Sequence, residues 1–212
     1  MASLFTHAIA GATLGLAANR NLRRRPGFWL AALLGSGLPD VDVIGFSVGI
    51  HYGDPWGHRG MTHSLLFAAI IAFCLAFCVA SSRQQPATQT GFTLHPVRKL
   101  LGERSRLTLL LFVIVASHGV LDALTNGGLG VAFFSPFDPT RYFLPYRPIQ
   151  VSPIGAGSFF TERGWFVLQS EILWIWFPAL VLAACISWMR ARPGSRVGTQ
   201  AAESDDLSSS DY

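Results

Sequence analysis

The chain has 212 residues, half of them hydrophobic and only 13% charged, whereas soluble domains carry about a quarter charged residues. With a mean hydropathy of +0.39, this composition excludes an ordinary cytosolic enzyme and a disordered regulator, and it indicates a membrane protein. The pI near 9.3 does not signal nucleic-acid binding, because the basic residues, all arginine except Lys99, cluster between apolar runs instead of forming one basic face.

Five apolar runs follow in chain order. Leu4–Ala18 is short and contains His7. No basic residue precedes it, as a secretory signal would require, so it reads as a retained segment with its N-terminus outside. Arg20, Arg23, Arg24 and Arg25 come next. Phe28–Phe46 is interrupted by Gly35, Gly37 and Pro39 and reads as a tilted, partial or re-entrant element. Thr62–Ala80, Leu107–Ala123 and Trp165–Met189 are clean spans, given the roughly 20 apolar residues that a crossing needs. Residues 81–106 form a polar-centred loop. Residues 126–164 are long and rich in glycine, proline and aromatic residues, which suits a lid lying at the lipid interface. From Pro193 the chain is polar and rich in Ser and Asp, as a disordered cytoplasmic tail would be.

The expected fold is therefore all-α. A membrane-embedded bundle of four to five hydrophobic helices occupies residues 1–192, with a long irregular outer loop, and residues 193–212 form the tail. If all five runs cross, twelve basic residues fall on one side and four on the other. The positive-inside rule then places the N-terminus outside and the tail in the cytoplasm. Cys74, Cys78 and Cys185 lie inside apolar runs without metal or redox spacing, and read as small packing residues.

Ionisable residues at membrane depth are costly and mark function by default. His7, Asp40, Asp42, His58, His63, His118 and Asp122 all fall at the outer ends or entrances of four runs. The topology rests on Lys and Arg alone, so this convergence is independent of it. His118 and Asp122 are four apart and share a helix face. In GLPDVDV, Pro39 and the glycines disfavour helix, and an extended chain would point Asp40 and Asp42 to one side. His58 is expected in a loop and His63 in the first turn of its span.

Imidazole with carboxylate is a ligand set for zinc, and also for manganese or iron. Seven ligands exceed the need of one tetrahedral ion and suit two or three, with a bridging carboxylate. Each piece also has a plainer reading. His7 alone fits an interfacial histidine, Asp40 and Asp42 fit turn or cap residues, and His118 with Asp122 fits a polar pair that joins helices. His51, Asp54 and His95 sit in loops and read as unremarkable. Glu171, inside the last run, either belongs to the site or pairs with Arg163 or Arg59.

The blocks THAIAG, GLPDVDVI, HRGMTHSLLFA and SHGVLDALTNGG occur in this order. Over roughly residues 1–150 they resemble the YdjM-like family of membrane-bound, metal-dependent hydrolases of bacterial inner membranes. The resemblance implies that His7, Asp40, Asp42, His58, His63, His118 and Asp122 bind metal, with Arg59 and Ser64 in the same HRxxTHS block. That family is similar to the all-helical phospholipase C and P1-nuclease group, which binds zinc through His and Asp. The expectation is a hydrolase at the outer face acting on a phosphoester or lipid-linked substrate. Asp40 or Asp42 would bridge ions, Arg59 would hold a phosphate, and Thr62, Ser64 and Asn126 would orient the imidazoles. Membrane lipids are the expected surroundings, and no nucleic acid is expected to bind directly. The alternatives are a metal-binding transport protein and a scaffold or regulatory protein. No internal repeat of the transporter kind is visible, and HExxH is absent.

Overall fold

A computed structural model describes residues 1–82, 94–154, 157 and 160–191. The centre of the 81–106 loop and the tail from Pro193 lie outside the described residues. The helices are α1 (Leu4–Gly15), α2 (Arg20–Arg23), α3 (Pro26–Gly37), α4 (Leu65–Ser81), α5 (Leu94–Ala123), α6 (Glu162–Glu171) and α7 (Phe177–Ala191). Two 3₁₀ segments, Leu38–Val48 and Met61–His63, follow α3 and precede α4, and a π turn, Ile172–Trp176, joins α6 to α7. Among the described residues there is no β-strand, so the expected all-α bundle is what forms.

Helix starts follow local chemistry. Ser3 and Asn19 cap α1 and α2 with their side-chain oxygens, and Pro26 opens α3 where its missing N–H costs nothing. Ser64 caps α4 by accepting from the Phe67 N–H at 3.1 Å. This serine therefore sets the start of a helix, immediately after His63.

The core is made by α1, α3, α4 and α5, which pack on one another. Ala68, Ala72 and Ala76 recur every fourth residue on the buried face of α4, which packs on α5. Small residues there let the two helix axes approach closely. Phe28, Leu111 and Ile114 fill the centre beside them. Ile70, Phe73 and Phe77 of α4 and Leu180 and Val181 of α7 point outward, as lipid-facing side chains would. Among the described residues, three stretches are long and apolar enough to cross a bilayer: Pro26–Val48, Gly102–Ala123 and Glu162–Ala191. At about 1.5 Å per residue, α1 is about 18 Å long, short of the roughly 30 Å hydrocarbon core. The first run is thus a half-length helix held inside the bundle.

Several expectations require correction. His63 ends the 3₁₀ segment Met61–His63 and precedes α4 instead of lying in its first turn, and Cys74, Cys78 and Cys185 are exposed instead of packed. GLPDVDV is not extended: α3 passes directly into the 3₁₀ segment Leu38–Val48. Pro39 stands in its first turn, a position that needs no N–H. With about three residues per turn, Asp40 and Asp42 lie about 120° apart around the axis, so they serve different neighbours. Glu171 pairs with neither Arg163 nor Arg59. Its two carboxylate oxygens accept from the backbone N–H and the hydroxyl of Ser3, and Trp176 Nε1 donates to Thr6 Oγ1 at 2.7 Å beside it. The α6–π–α7 element thereby clamps the start of α1, the helix that carries His7. Glu171→Ala is expected to cost about 2–3 kcal/mol, the range for losing hydrogen bonds to a charged acceptor. A fall in the thermal unfolding midpoint in detergent, partly restored by Glu171→Gln, is the readout.

The bundle has two chemically distinct ends. Arg190 near the end of α7 donates to the Ala18 carbonyl beyond α1, so these termini meet the Arg20–Arg25 elbow. The His and Asp residues gather at the other end.

Candidate metal centre

The centre is built outward from α5. His118 Nδ1 donates to the Ser36 carbonyl at 2.7 Å, in the last turn of α3, which leaves its Nε2 with a lone pair. Gly11 allows this approach of α1 to α3, since a Cβ there would lie 2.7 Å from the Ser36 Cβ. His63 Nε2 stands 3.1 Å from His118 Nε2. On its other side, His63 Nδ1 is 3.2 Å from Asp42 Oδ2 and 3.1 Å from Thr62 Oγ1. Asp40 Oδ1 lies 3.3 Å from His118 Nε2 and 3.6 Å from His63 Nε2. Asp122 Oδ2 completes the ring at 3.5 Å from His63 Nε2. His7 stacks on His118 with ring centroids 3.6 Å apart, and its Nε2 is 3.4 Å from Asp122 Oδ1.

Asp40, His63, His118 and Asp122 thus present one donor atom each within 4.8 Å of one another, all buried. Asp42, His58 and His63 form a second, overlapping group. The fit to a cation is physical. Neither oxygen of Asp40 and neither nitrogen of His7 has a hydrogen-bond partner although all are buried. Such groups are costly when left unpaired. With both Nδ1 atoms serving as donors, the Nε2 atoms of His63 and His118, 3.1 Å apart, are left to share a proton or to ligate an ion. A positive ion beside them would take both Nε2 lone pairs and the buried oxygens of Asp40.

The two aspartates of GLPDVDV differ in just this respect. Asp42 is fully engaged: Oδ1 is 2.7 Å from His58 Nδ1, and Oδ2 accepts from Thr62 Oγ1 at 2.6 Å and from the Arg59 N–H at 3.2 Å. Asp40 is unengaged. One residue offers free oxygens, and the other holds the imidazoles in place.

Arg59 has φ +63, a conformation that costs a non-glycine residue about 1 kcal/mol or more. Its peptide is fixed from both sides, by Asp42 at the N–H and by the Ala132 N–H at its carbonyl. The buried guanidinium donates to the Gly127 carbonyl and Thr125 Oγ1, each at 2.9 Å, and Nε lies 3.0 Å from Asp122 Oδ2. Arg59 thus faces Asp122. Gly128, at φ +88, makes room for this: a Cβ would stand 2.9 Å from Arg59 Nη1.

The segment expected to be a lid closes over this end. Its Val131 and Tyr142 form an antiparallel bridge, and the Phe133 carbonyl accepts from the Leu65 N–H at 2.9 Å. Arg141 ties it to the preceding loop, donating to the carbonyls of His58, Tyr52 and Asp54. Burial pushes the Tyr52 phenol pKa up, so the ring is neutral where it meets His58. Asn126 fastens this segment through Gln150 and Val151 and does not contact the imidazoles, whereas Thr62 does. His51, 89% exposed, pairs only with Asp54. Ser36 and Thr125, which hold His118 and Arg59, carry no sequence signal beyond being near ligands.

Residues 1–194 match the family described as YdjM inner membrane protein. The inner membrane protein YbcI of Escherichia coli K12 is 33% identical over 190 residues, covering 90% of this chain and 99% of that protein. No solved structure matches the chain.

Proposed function

The chain belongs to the YdjM inner membrane protein family, and from that premise we propose that it is a metal-dependent hydrolase whose ion is held by Asp40, His63, His118 and Asp122. The observation that carries this reading is the buried Asp40 carboxylate, without a hydrogen-bond partner, beside two imidazole nitrogens 3.1 Å apart. Two imidazoles with two carboxylates suit zinc, with manganese or iron as neighbours in preference. A bound ion would supply Lewis acidity and bring the pKa of a water toward neutrality.

The chain's own residues prepare the site. The Ser36 carbonyl fixes the His118 tautomer, Asp42 orients His63 and His58, and Arg59 holds Asp122. His7 adds a donor at the edge. The overlapping group at Asp42, His58 and His63 is the place for a second ion, which would have to displace the His58–Asp42 hydrogen bond. The asymmetry of arginine along the chain supports an outer location for the site. The apolar surroundings support a phosphoester or lipid-linked substrate arriving from the bilayer.

A second reading draws on burial. None of the four ligands is more than 8% exposed, and closed donor sets are typical of structural metal sites. A metal-binding transport or scaffold role would follow. Metal content of the detergent-purified chain, measured together with hydrolysis of chromogenic phosphodiesters and fluorescent phospholipids, separates the two. The hydrolase reading expects at least one ion per chain and a turnover lost on chelation and regained with zinc. A retained ion with no turnover of any phosphoester favours the second reading. A chain that stays metal-free after anaerobic reconstitution with zinc, manganese and iron defeats both.

Asp42→Asn gives a graded test of the orienting role. It is expected to weaken metal affinity about 10–100-fold, the usual cost of losing such a partner, as read by competition with a fluorescent zinc chelator. Unchanged affinity would remove Asp42 from the centre.

A further inference from the structure

At the end of the bundle away from the metal centre lies a cavity of about 560 Å³. The residues beyond α1, the short helix α2, the end of α4 and the beginning of the apolar stretch of α5 enclose it. Arg25, Arg104 and Arg106 line it together with Leu22, Leu107 and Leu110. Among the described lining residues Glu103 is the one carboxylate, against three arginines, so the described lining carries a net positive charge. Along α5 the apolar run starts at Leu107. Arg104 and Arg106 therefore stand at its polar edge, where a span passes from headgroups into hydrocarbon. Arginine at that depth is costly unless it reaches the interface or meets an anion. Arg23, on the adjacent short helix, keeps its Nε buried without a hydrogen-bond partner, which adds to the positive charge of the elbow.

We propose that this cavity binds the headgroup of an anionic phospholipid, with the phosphate against the arginines and the glycerol and first methylenes against the leucines. The wall decides among anions. Soluble phosphate would use the guanidinium groups and leave the leucine face wet, whereas a phospholipid satisfies both. Arginine also suits phosphate through its two-pronged donor geometry, and basic pockets between helices at a membrane surface are recognised sites for such lipids. A lipid seated here would pin the Arg20–Arg25 elbow to α5. The site is independent of the metal centre and of any reaction there.

Delipidated full-length protein in dodecyl maltoside, titrated with dioleoyl phosphatidylglycerol, cardiolipin or dioleoyl phosphatidylcholine, tests the assignment. Thermal midpoint and native mass spectrometry are the readouts. The two anionic lipids are expected to raise the midpoint and to persist as adducts, and phosphatidylcholine is expected to do neither. At about one interfacial arginine's contribution each, R104Q or R106Q alone should weaken phosphatidylglycerol about fivefold, and R25Q/R104Q/R106Q about 100-fold. R147Q/R163Q, which removes two charges elsewhere, should change it less than about twofold by the same reasoning. The single variants keep the test decisive if the triple variant elutes as an aggregate. Equal binding of phosphatidylcholine, or parent-like binding by both single variants, would overturn the proposal. Equal protection by inorganic phosphate would also overturn it, by showing a soluble-anion site.

Discussion

Asp122→Ala is expected to cost the chelated protein about 3–5 kcal/mol, the range for stripping one partner from a buried ion pair. Asp122 is fully buried; its Oδ1 accepts from the Ala2 N–H at 2.7 Å, and its Oδ2 lies 3.0 Å from Arg59 Nε. Without the carboxylate, a guanidinium that cannot lose its proton stays buried with only the neutral oxygens of Thr125 and Gly127 for partners. Arg59 cannot swing away, because its peptide is tied to Asp42 and Ala132. Relief must come through opening of the loop or penetration of water. The loss should therefore be much smaller in Arg59→Met/Asp122→Leu, where neither charge remains. A coupling free energy above about 1 kcal/mol in that double-mutant cycle, from unfolding of chelated protein in mixed detergent, is the expected result. An Asp122→Ala effect within about 0.5 kcal/mol of zero, the usual range for an ordinary surface change, would mean that the pair does not hold the site together.

The buried His and Asp cluster was legible because membrane sequences make polar residues conspicuous. His118 and Asp122 stand four apart in an apolar run, and helical geometry alone puts them on one face. Convergence of the other segments is what alternating crossings, read from the arginine clusters alone, would predict, and the structure does bring these residues together. Backbone conformation at GLPDVDV was not legible. Proline preceded by glycines reads as a helix end, yet at the first turn of a new 3₁₀ segment Pro39 costs nothing. The consequence reaches the site, because the two aspartates face different neighbours instead of acting as a pair: Asp42 holds His58 and Thr62, and Asp40 faces His118. Arg59 and Glu171 were visible as costly charges but not as to partner. Each is satisfied by a residue distant in sequence, Asp122 and Ser3, and Glu171 by the start of a helix, which has no charge pattern to announce it. Only the packing of α1 against the last helix supplies that information.

Asp40→Asn separates a ligand from a structural charge by the sign of its effect. In the chelated protein the Asp40 oxygens are buried without hydrogen-bond partners and share a dry site with the Asp122 carboxylate. An asparagine removes one of two like charges. Its amide N–H, placed where Oδ1 now stands 3.3 Å from His118 Nε2, can donate to that nitrogen, which a carboxylate oxygen cannot do. The chelated variant is thus expected to be more stable than the chelated parent, by about 1–2 kcal/mol, since it removes an unpaired buried group. Zinc should reverse the order. An ion that binds only the folded parent adds about 2.7 kcal/mol at a hundred times its dissociation constant, and the variant, lacking a ligand, gains little. Midpoints measured for both proteins with chelator and with zinc should therefore cross. Destabilisation of the chelated protein by Asp40→Asn on the scale of Asp122→Ala would place Asp40 in the polar framework and remove the argument for an ion. A crossing would identify the unpaired oxygens as a ligand set, maintained at a cost to the apo fold.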